Sequence, residues 1–482
     1  MEKTIIDIDI EKPHKPMPTS EAKSKVRSYR KRQRRRRVII KCILLLLLFL
    51  FITFVIWDLR TSRFEALLLS NYASTLNYQT ESGPSTAIRY PHTGPYDVRL
   101  GYSKLQDYAD NLVERGYKIE SQARFSPSLM NVTQRGIFTI YREKTQAGLQ
   151  IYDRDNKLIS SSYYPQRVYQ NLDSIPEIVT QTLLFIENRE LLDERYPYRN
   201  PAIEWDRFAK ALVDMAIHKV YKGHKAIGGS TMATQLEKYR HSPEGRTAEG
   251  KEKIRQMISA TLRAYLNGEE TMGARQQLIA DYINSVPLAA VQDYGEVNGL
   301  GDGLWAWYGA DFDEVNKDLN KLGLNYLTQE DINRVALNYK RVLSLFIAHR
   351  RPSYYLIEDP NALETHTNLY LRLLNKNGII SNSLMNAALR VNLQFNKVAP
   401  QQKEKAQFIE RKAANSIRAH LASIIGVQAL YSLDRFDLSV QSTIDNRMQK
   451  EIVKVLQQLN DPEYAESAGI IGARILGSKV LV

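Results

Sequence analysis

The sequence has little cysteine. Cys42 is the single cysteine among 482 residues. One cysteine excludes an intrachain disulfide and a zinc site built from several cysteines. Because Cys42 lies inside an apolar run, its thiol says nothing about the redox compartment. No internal repeat is evident, and with 482 residues two or three domains are expected.

Beyond residue 41 the chain also carries little net charge. The chain carries a formal charge of +13, and residues 1–41 account for most of it, with 14 Lys and Arg against 5 Asp and Glu. Such a basic tail would by itself predict a nucleic-acid arm. The apolar run that follows it favours a membrane protein, so we expect no nucleic-acid partner.

That apolar run predicts one membrane-spanning helix over 38–58. Residues 42–57 are apolar apart from Thr53, and Val38 to Ile40 extend the run to about the 20 residues that a bilayer requires. The positive-inside rule makes the tail, 1–37, cytoplasmic. A signal peptide is the rival hypothesis, but the run ends without a small-x-small cleavage site, which favours an uncleaved anchor.

Beyond the anchor, the pattern predicts a linker and small α+β module over 59–148. Helical spacing covers Ser103–Gly116, and strand character covers Tyr117–Phe125 and Gly136–Arg142. A hairpin is predicted over Gln150–Tyr163.

From Asp173 to about Asn396 the pattern is helical. Ser174 and Glu177 predict a capping box at the start of one helix, and a second helix is predicted over Lys251–Asn267. Residues 396–482 are predicted to hold a helical linker and the start of a truncated C-terminal domain. That last region has a strand at Asp437–Ile444, a helix at Met448–Leu459 and an apolar stretch at Gly469–Leu476.

Glu187 is the first candidate for chemistry. Leu183 and Leu191 lie four residues to either side, so Glu187 borders the apolar stripe of its helix. Partial desolvation there would raise its pKa toward the range of a general base. The alternative is a solvated surface glutamate.

A second candidate is the segment Gly228, Gly229, Ser230, Thr231. Two glycines permit close backbone approach, and Ser or Thr caps a helix whose first amides can bind phosphate. The alternative is an ordinary capped helix, and the spacing is not that of a nucleotide P-loop. A basic series follows, which could clamp a pyrophosphate or form a solvated face: Lys238, Arg246, Lys251, Lys253 and Arg255.

Together these segments resemble the family 51 glycosyltransferases, the peptidoglycan polymerases, over residues 149–395. The resemblance rests on short motifs in the family's order. They are Glu187-Asn188-Arg189, Ile203-Glu204-Trp205-Asp206-Arg207, Gly228 to Thr231 with Gln235 and Lys238, Lys253-Ile254-Arg255, Leu278 to Asn284, Trp307-Tyr308-Gly309, and Arg351 to Tyr355.

The resemblance implies a mainly α, lysozyme-like domain that polymerises lipid II into glycan strands. Glu187 would deprotonate the acceptor hydroxyl, which attacks the donor's anomeric carbon with inversion and releases undecaprenyl pyrophosphate. The implied substrate-binding residues are Gly228, Gly229, Ser230, Thr231, Gln235, Lys238, Arg246, Lys253, Arg255 and Asn284. Some family members use a divalent cation, Mg²⁺ or Mn²⁺, but the resemblance gives no metal ligand here.

Three positions depart from the family pattern. Asn188 replaces an aspartate, Thr234 replaces a glutamine, and Gln256 occupies the position of a second glutamate. A non-catalytic protein that binds lipid-linked glycan or other wall-synthesis proteins is therefore the second hypothesis. A lysozyme-like hydrolase is the third.

The resemblance also implies location and partners. The chain would sit in the bacterial cytoplasmic (inner) membrane, crossing it once, with its main domain periplasmic or extracellular. Its partners would be lipid II, the nascent strand, membrane lipids, and a transpeptidase or other wall-synthesis protein. Ser432–Asn446 resembles the linker into a transpeptidase domain, but no Ser-x-x-Lys nucleophile follows it.

Overall fold

The structure is a computed structural model that describes residues 20–204, 230–323, 328–400, 408–459 and 461–469. Only the backbone is described for residues 20–34 and 408–410. The chain divides into two compact units, residues 1–61 and 62–482.

The first unit contains the long helix α1, Ser20–Thr61. Within this helix, the segment Arg35–Thr61 contains an 18-residue stretch with a mean hydropathy of 3.1, and no residue of that stretch is buried. It is long and apolar enough to cross a membrane, as both an anchor and a signal sequence are. Thr53, the one polar residue of the apolar run, donates its hydroxyl hydrogen to the carbonyl of Phe49, so its hydroxyl group is hydrogen-bonded within the helix.

The second unit begins with a small α+β module. Strands β1 and β2 pair antiparallel, with Tyr78 opposite Phe125. Helix α4 confirms the helix predicted over Ser103–Gly116. The elements of the module are α2 (Arg63–Ala73), β1 (Tyr78–Ser82), α3 (Pro95–Arg99), α4 (Leu105–Glu114), β2 (Ser121–Phe125) and α5 (Pro127–Gln134).

The strand predicted over Gly136–Arg142 is wrong. This segment has no regular secondary structure and joins no sheet in the described structure. Side chains of the helix over residues 250–264 bond its backbone instead. Ser259 accepts from the Phe138 amide at 3.2 Å, and Arg263 donates to the carbonyls of Thr139 and Tyr141 at 2.9 and 2.7 Å.

The predicted hairpin is confirmed as β3 (Ala147–Tyr152) and β4 (Leu158–Tyr164). The Asp153 carboxylate forms its turn by accepting from the amides of Asp155 and Lys157. On its other edge β3 pairs in parallel with β7 (Leu438–Gln441), which lies within the predicted strand Asp437–Ile444. The resulting sheet has the order β4-β3-β7.

Between those strands the chain is mainly helical, which confirms the predicted fold class. The helices are α6 (Glu177–Glu187), α7 (Met232–His241), α8 (Gly250–Ala264), α9 (Met272–Ser285), α10 (Leu300–Tyr308), α11 (Phe312–Asn320), α12 (Gln329–Ala348), α13 (Pro360–Lys376) and α14 (Asn382–Arg390). After them come α15 (Phe408–Ile425), α16 (Asn446–Gln458) and α17 (Pro462–Ser467). The predicted apolar stretch Gly469–Leu476 lies, from residue 470 on, outside the described residues.

Helix α12 forms the centre of the largest core. It packs against α6, α10, α11, α13 and α14. Val335, Tyr339, Val342 and Phe346 are fully buried, at the period expected for one helix face. Each such side chain contributes roughly 1.5–3 kcal/mol when removed from water. The same core fixes the end of α12, where the candidate site begins.

Three details of the helical region differ from the sequence prediction. Ser174 does not cap α6: it lies in a short 3-10 turn that Asn171 caps, and α6 begins at Glu177. Helix α8 ends at Ala264 rather than Asn267. The hairpin β5 (Pro287–Val291) and β6 (Gly295–Asn298) interrupts the helices, and its turn has positive φ at Asp293 and Gly295.

Candidate active site

Glu187 is the last residue of α6, and its carboxylate meets the end of α12. Arg350 Nη2 lies 3.0 Å from Glu187 Oε1, and His349 Nε2 lies 3.7 Å from the same oxygen. Gln235 Nε2 donates to the other oxygen at 3.2 Å. The side chain of Glu187 is 8% exposed, so it is not the solvated glutamate of the alternative interpretation.

The direction of the pKa shift of Glu187 differs from the sequence prediction. Burial raises the pKa of this carboxyl, but His349 and Arg350 together lower it by more, and the net pKa is below the ordinary value. A raised pKa is therefore wrong for this structure. The carboxylate is ionised at neutral pH and can accept a proton, whereas it is poorly suited to donate one.

His349 has its own fixed arrangement. Its Nδ1 lies 2.6 Å from the carbonyl of Phe346, which can only accept, so Nδ1 carries a hydrogen. Its Nε2 lies 3.0 Å from the hydroxyl of Tyr282. Burial lowers the pKa of His349, and Glu187 only partly offsets this.

Gln235 is held on both sides of its amide. While Nε2 donates to Glu187, Oε1 accepts from the hydroxyls of Tyr239 at 3.2 Å and Tyr282 at 3.1 Å. These contacts fix which end of the amide faces the carboxylate. Gln235 therefore connects α7 to Glu187, and the substrate-binding role that the resemblance implies for it stays a prediction.

Two lysines lie on the same side of α7 and α8. Lys253 Nζ donates to Ser230 Oγ at 2.7 Å and to Thr234 Oγ1 at 3.3 Å. Burial lowers the pKa of Lys253 to about 8, and the charge of Lys238 lowers it further. Burial also lowers the pKa of Lys238, which Glu187 partly offsets. Two half-buried, mutually repelling ammonium groups favour a bound anion.

The start of α7 supports the capped-helix alternative for Thr231. Its hydroxyl accepts from the Thr234 amide at 3.3 Å and donates to the Ala202 carbonyl at 3.1 Å. Thr234 in turn accepts from the amide of Thr231. The amides of Thr231 and Thr234 are therefore already hydrogen-bonded to side chains, whereas the prediction assigned the first amides of this helix to a phosphate. Gly228 and Gly229 lie outside the described residues.

Four predicted residues do not join Glu187. Asn284 is buried, and its amide bonds the backbone N–H and C=O of Tyr169. Arg255 donates to Gly136 O and to Glu252. Arg246 is exposed after a 3-10 turn at Pro243–Gly245.

Gln256 is the fourth of these residues. It is fully buried, and its Nε2 donates to the hydroxyls of Ser242 and Thr247 at 2.9 Å each. Ser242 donates to Glu252 at 2.6 Å. The position of the family's second glutamate is thus part of a hydrogen-bond network on α8 that also includes the carboxylate of Glu252.

The other two departures have local explanations. Asn188 donates its amide hydrogen to the carboxylate of Glu204, so an aspartate there would place two buried carboxylates together. Thr234 supplies a hydroxyl to Lys253. Among the described residues no group of three or more His, Cys, Asp and Glu is arranged to hold a metal ion.

Comparison with known proteins now identifies the domain. Residues 155–375 match the family model described as Transglycosylase. The chain carries a transglycosylase domain of glycosyltransferase family 51. The matched residues include Glu187, Gln235 and both lysines, and they lie inside the predicted range 149–395, whose limits stay a prediction.

This chain is similar to penicillin-binding protein 1A/1B from Bacillus subtilis (strain 168). The two are 23% identical over 317 residues, which is 65% of this chain and 29% of that protein. This chain therefore spans about three tenths of the length of that relative. The relation is distant, in keeping with the three altered motif positions.

Sequence reasoning missed the residues that surround Glu187. Arg350 and His349 precede the quoted segment Arg351 to Tyr355, and Tyr282 lies inside the quoted segment Leu278 to Asn284. Their positions in or beside these motifs indicated that they belong to the site. No rule of sequence spacing, however, predicts that His349 and Arg350 contact Glu187, about 160 positions earlier in the chain. Only the packing of α6 against α12 brings them together.

Proposed function

We propose that this transglycosylase chain is a membrane-anchored peptidoglycan glycosyltransferase that polymerises lipid II. The observation that carries the proposal is the ionised carboxylate of Glu187. It lies in a largely buried site with Gln235, and Lys238 and Lys253 lie on the adjoining face of α7 and α8. A base next to a cationic site fits transfer of a sugar from a pyrophosphate donor.

In the proposed step Glu187 accepts the proton of the acceptor's sugar hydroxyl. The hydroxyl oxygen attacks the anomeric carbon of the donor strand, and the bond from that carbon to the pyrophosphate oxygen breaks. Undecaprenyl pyrophosphate leaves with the electron pair, and the configuration inverts. The lowered pKa of Glu187 favours this role over that of a proton donor.

The leaving pyrophosphate would be held by Lys238 and Lys253. Their pKa values are lowered by burial, so binding a dianion would raise both and strengthen the charge-assisted hydrogen bonds. Ser230 and Thr234 already orient Lys253. A divalent cation, Mg²⁺ or Mn²⁺, stays an untested possibility from the family.

Anchoring fits the substrate. Lipid II carries its pyrophosphate at the headgroup level of the bilayer, and the apolar helix Arg35–Thr61 precedes the domain in the chain. We therefore place the chain in the bacterial cytoplasmic membrane, with residues 1–37 cytoplasmic and the domain outside. A transpeptidase or another wall-synthesis protein is the proposed protein partner.

One observation favours a second candidate function. Gln256 replaces a carboxylate and bonds Ser242 and Thr247, and Arg350 already pairs with the proposed base. A non-catalytic protein that retains lipid-linked glycan through its two lysines would fit these contacts. A lysozyme-like hydrolase fits less well, because it needs a protonated carboxyl group.

The test is incubation of the purified full chain with labelled lipid II, followed by separation of glycan products by length. We compare wild type, Glu187→Gln and Glu194→Gln, an exposed glutamate seven residues away, as the matched control. Loss of a general base costs about 10²–10⁴ in rate. Polymer from wild type and Glu194→Gln, reduced at least a hundredfold in Glu187→Gln, supports the proposal.

Other outcomes decide between the alternatives. Lipid II that binds but stays monomeric in all three proteins overturns the polymerase and supports the binding function. In that case Gln256→Glu tests whether the missing carboxylate explains the lack of turnover. Shortening of preformed strands by wild type would instead support a hydrolase.

A further inference from the structure

Helix α2, Arg63–Ala73, directly follows the apolar helix α1 in the chain. Ser62, whose φ of 53° is left-handed, is the one residue between the two helices. Helix α2 lies outside residues 155–375, which match the family model, so that match assigns it no role. Its two faces must therefore reveal what it contacts.

The face of α2 that packs on the domain carries small side chains. Ala66, Ser70 and Ala73 are buried. The two alanines pack against Ala264 and Tyr265 at the end of α8. Because small side chains allow two helices to approach closely, α2 is held against α8 with a defined outer face.

The outer face of α2 carries the large apolar side chains. Four of them are 44–54% exposed, at positions i, i+3, i+4 and i+8: Phe64, Leu67, Leu68 and Tyr72. A helix that faces water has the reverse arrangement, with its large apolar side chains toward the core and polar ones outward. The pattern is therefore inverted for a helix in water, and an exposed apolar patch of this kind marks a contact surface.

The membrane lies within reach of this face. With α1 spanning the bilayer through residues 38–58, as proposed for the anchor, Thr61 lies about 4.5 Å beyond the hydrocarbon, since a helix rises 1.5 Å per residue. The headgroup layer is roughly 5–7.5 Å thick on each side of the hydrocarbon. Helix α2 therefore begins within that layer.

We propose that α2 is an interfacial helix whose outer face lies in the membrane, with Leu67 and Leu68 among the lipids. Helices of this kind bury their apolar face about 5–10 Å into the boundary between headgroups and acyl chains. Tyr72 suits this boundary because its ring is apolar and its hydroxyl is polar. Asn71, exposed on the same face, can meet the headgroups.

Such a contact would orient the domain on the membrane. Lys253 lies on α8, eleven residues before Ala264, against which α2 packs. Eleven residues of helix correspond to about 17 Å. Helix α2 would thus hold the lysine proposed to bind the pyrophosphate within about 17 Å of the headgroup layer, measured along α8.

The test is EPR spectroscopy of a nitroxide label in the full chain, reconstituted in vesicles of phosphatidylglycerol and phosphatidylethanolamine. Cys42→Ser removes the single native cysteine, and Leu68→Cys then carries the label on the outer face of α2. Leu158→Cys in the same background is the matched control, since Leu158 is 53% exposed and Leu68 is 54% exposed. Power saturation compares collisions of the label with oxygen, which concentrates in the bilayer, and with a water-soluble nickel complex.

We expect the ratio of oxygen to nickel collisions to be roughly tenfold higher at position 68 than at position 158, for a label about 5–10 Å inside the boundary. Equal ratios at the two positions would overturn the proposal. Few collisions with either reagent at position 68 would overturn it too, because a protein surface, such as a second copy of the chain, would then cover the face. If circular dichroism shows that Leu68→Cys is unfolded, Leu67→Cys carries the label under the same criteria.

The anchor is tested separately in the wild-type chain. A label on Cys42 should collide with oxygen and hardly with nickel if α1 spans the membrane. A failed anchor and a water-exposed α2 are thus distinguished. Neither measurement needs lipid II, so both outcomes are independent of the polymerase test.

Discussion

His241 should make the stability of this protein depend on pH in a defined window. It lies at the end of α7, where Nδ1 is 2.8 Å from Asp97 and Nε2 is 2.5 Å from Glu143. Burial lowers the pKa of His241, but the two carboxylates raise it by more, to about 9. Because the folded pKa exceeds the unfolded value of about 6.5, protonation stabilises the folded state.

The magnitude follows from the shift. A rise from about 6.5 to about 9 corresponds to roughly 3 kcal/mol, at about 1.4 kcal/mol for each pKa unit. This stability is fully present below pH 6.5 and is lost as the pH rises to 9. Lys253 acts with the opposite sign, since its folded pKa of about 8 lies below the ordinary value and its penalty is relieved above pH 8.

The assay is denaturant unfolding of the full chain in micelles, followed by tryptophan fluorescence between pH 6 and 9.5. Wild type should lose roughly 3 kcal/mol more than His241→Gln across this range, because Lys253 contributes equally to both proteins. His420→Gln, at an exposed histidine, should behave as wild type. Equal pH slopes for wild type and His241→Gln would refute the reasoning.

Two further substitutions test the packing around the site. Gly94→Ala would place a Cβ atom 2.0 Å from the carbonyl oxygen of Arg240 and should lower the free energy of unfolding by about 1–3 kcal/mol. Gly250→Ala, where nothing lies within 4 Å, is the control, and equal melting temperatures would contradict the close approach. Asn188→Asp should cost roughly 1–3 kcal/mol at pH 8, and less at pH 5, because the new carboxylate meets Glu204. Denaturant unfolding at both pH values measures this, and a cost independent of pH would count against it.

The local sequence determined a large part of this protein. The apolar period of α8 and α12, the unbroken run of α1 and the hairpin turn at Asp153 each depend on residues a few positions apart. The motifs around Glu187, Gln235 and the two lysines could be recognised in the sequence because each of them also spans only a few positions. The pattern also predicted the mainly α class and the family correctly.

Tertiary structure decided which of those residues meet and in what charge state. The border position of Glu187 predicted a raised pKa, but His349 and Arg350, the latter 163 residues later in the chain, lower it. Asn284 looked like a substrate ligand, yet its amide is used by the backbone of Tyr169, 115 residues away. Gly136–Arg142 has strand character, but its hydrogen bonds go to side chains of a helix. Local pattern sets the conformational preference of a segment, whereas burial and electrostatics depend on contacts distant in sequence, which only the folded chain supplies.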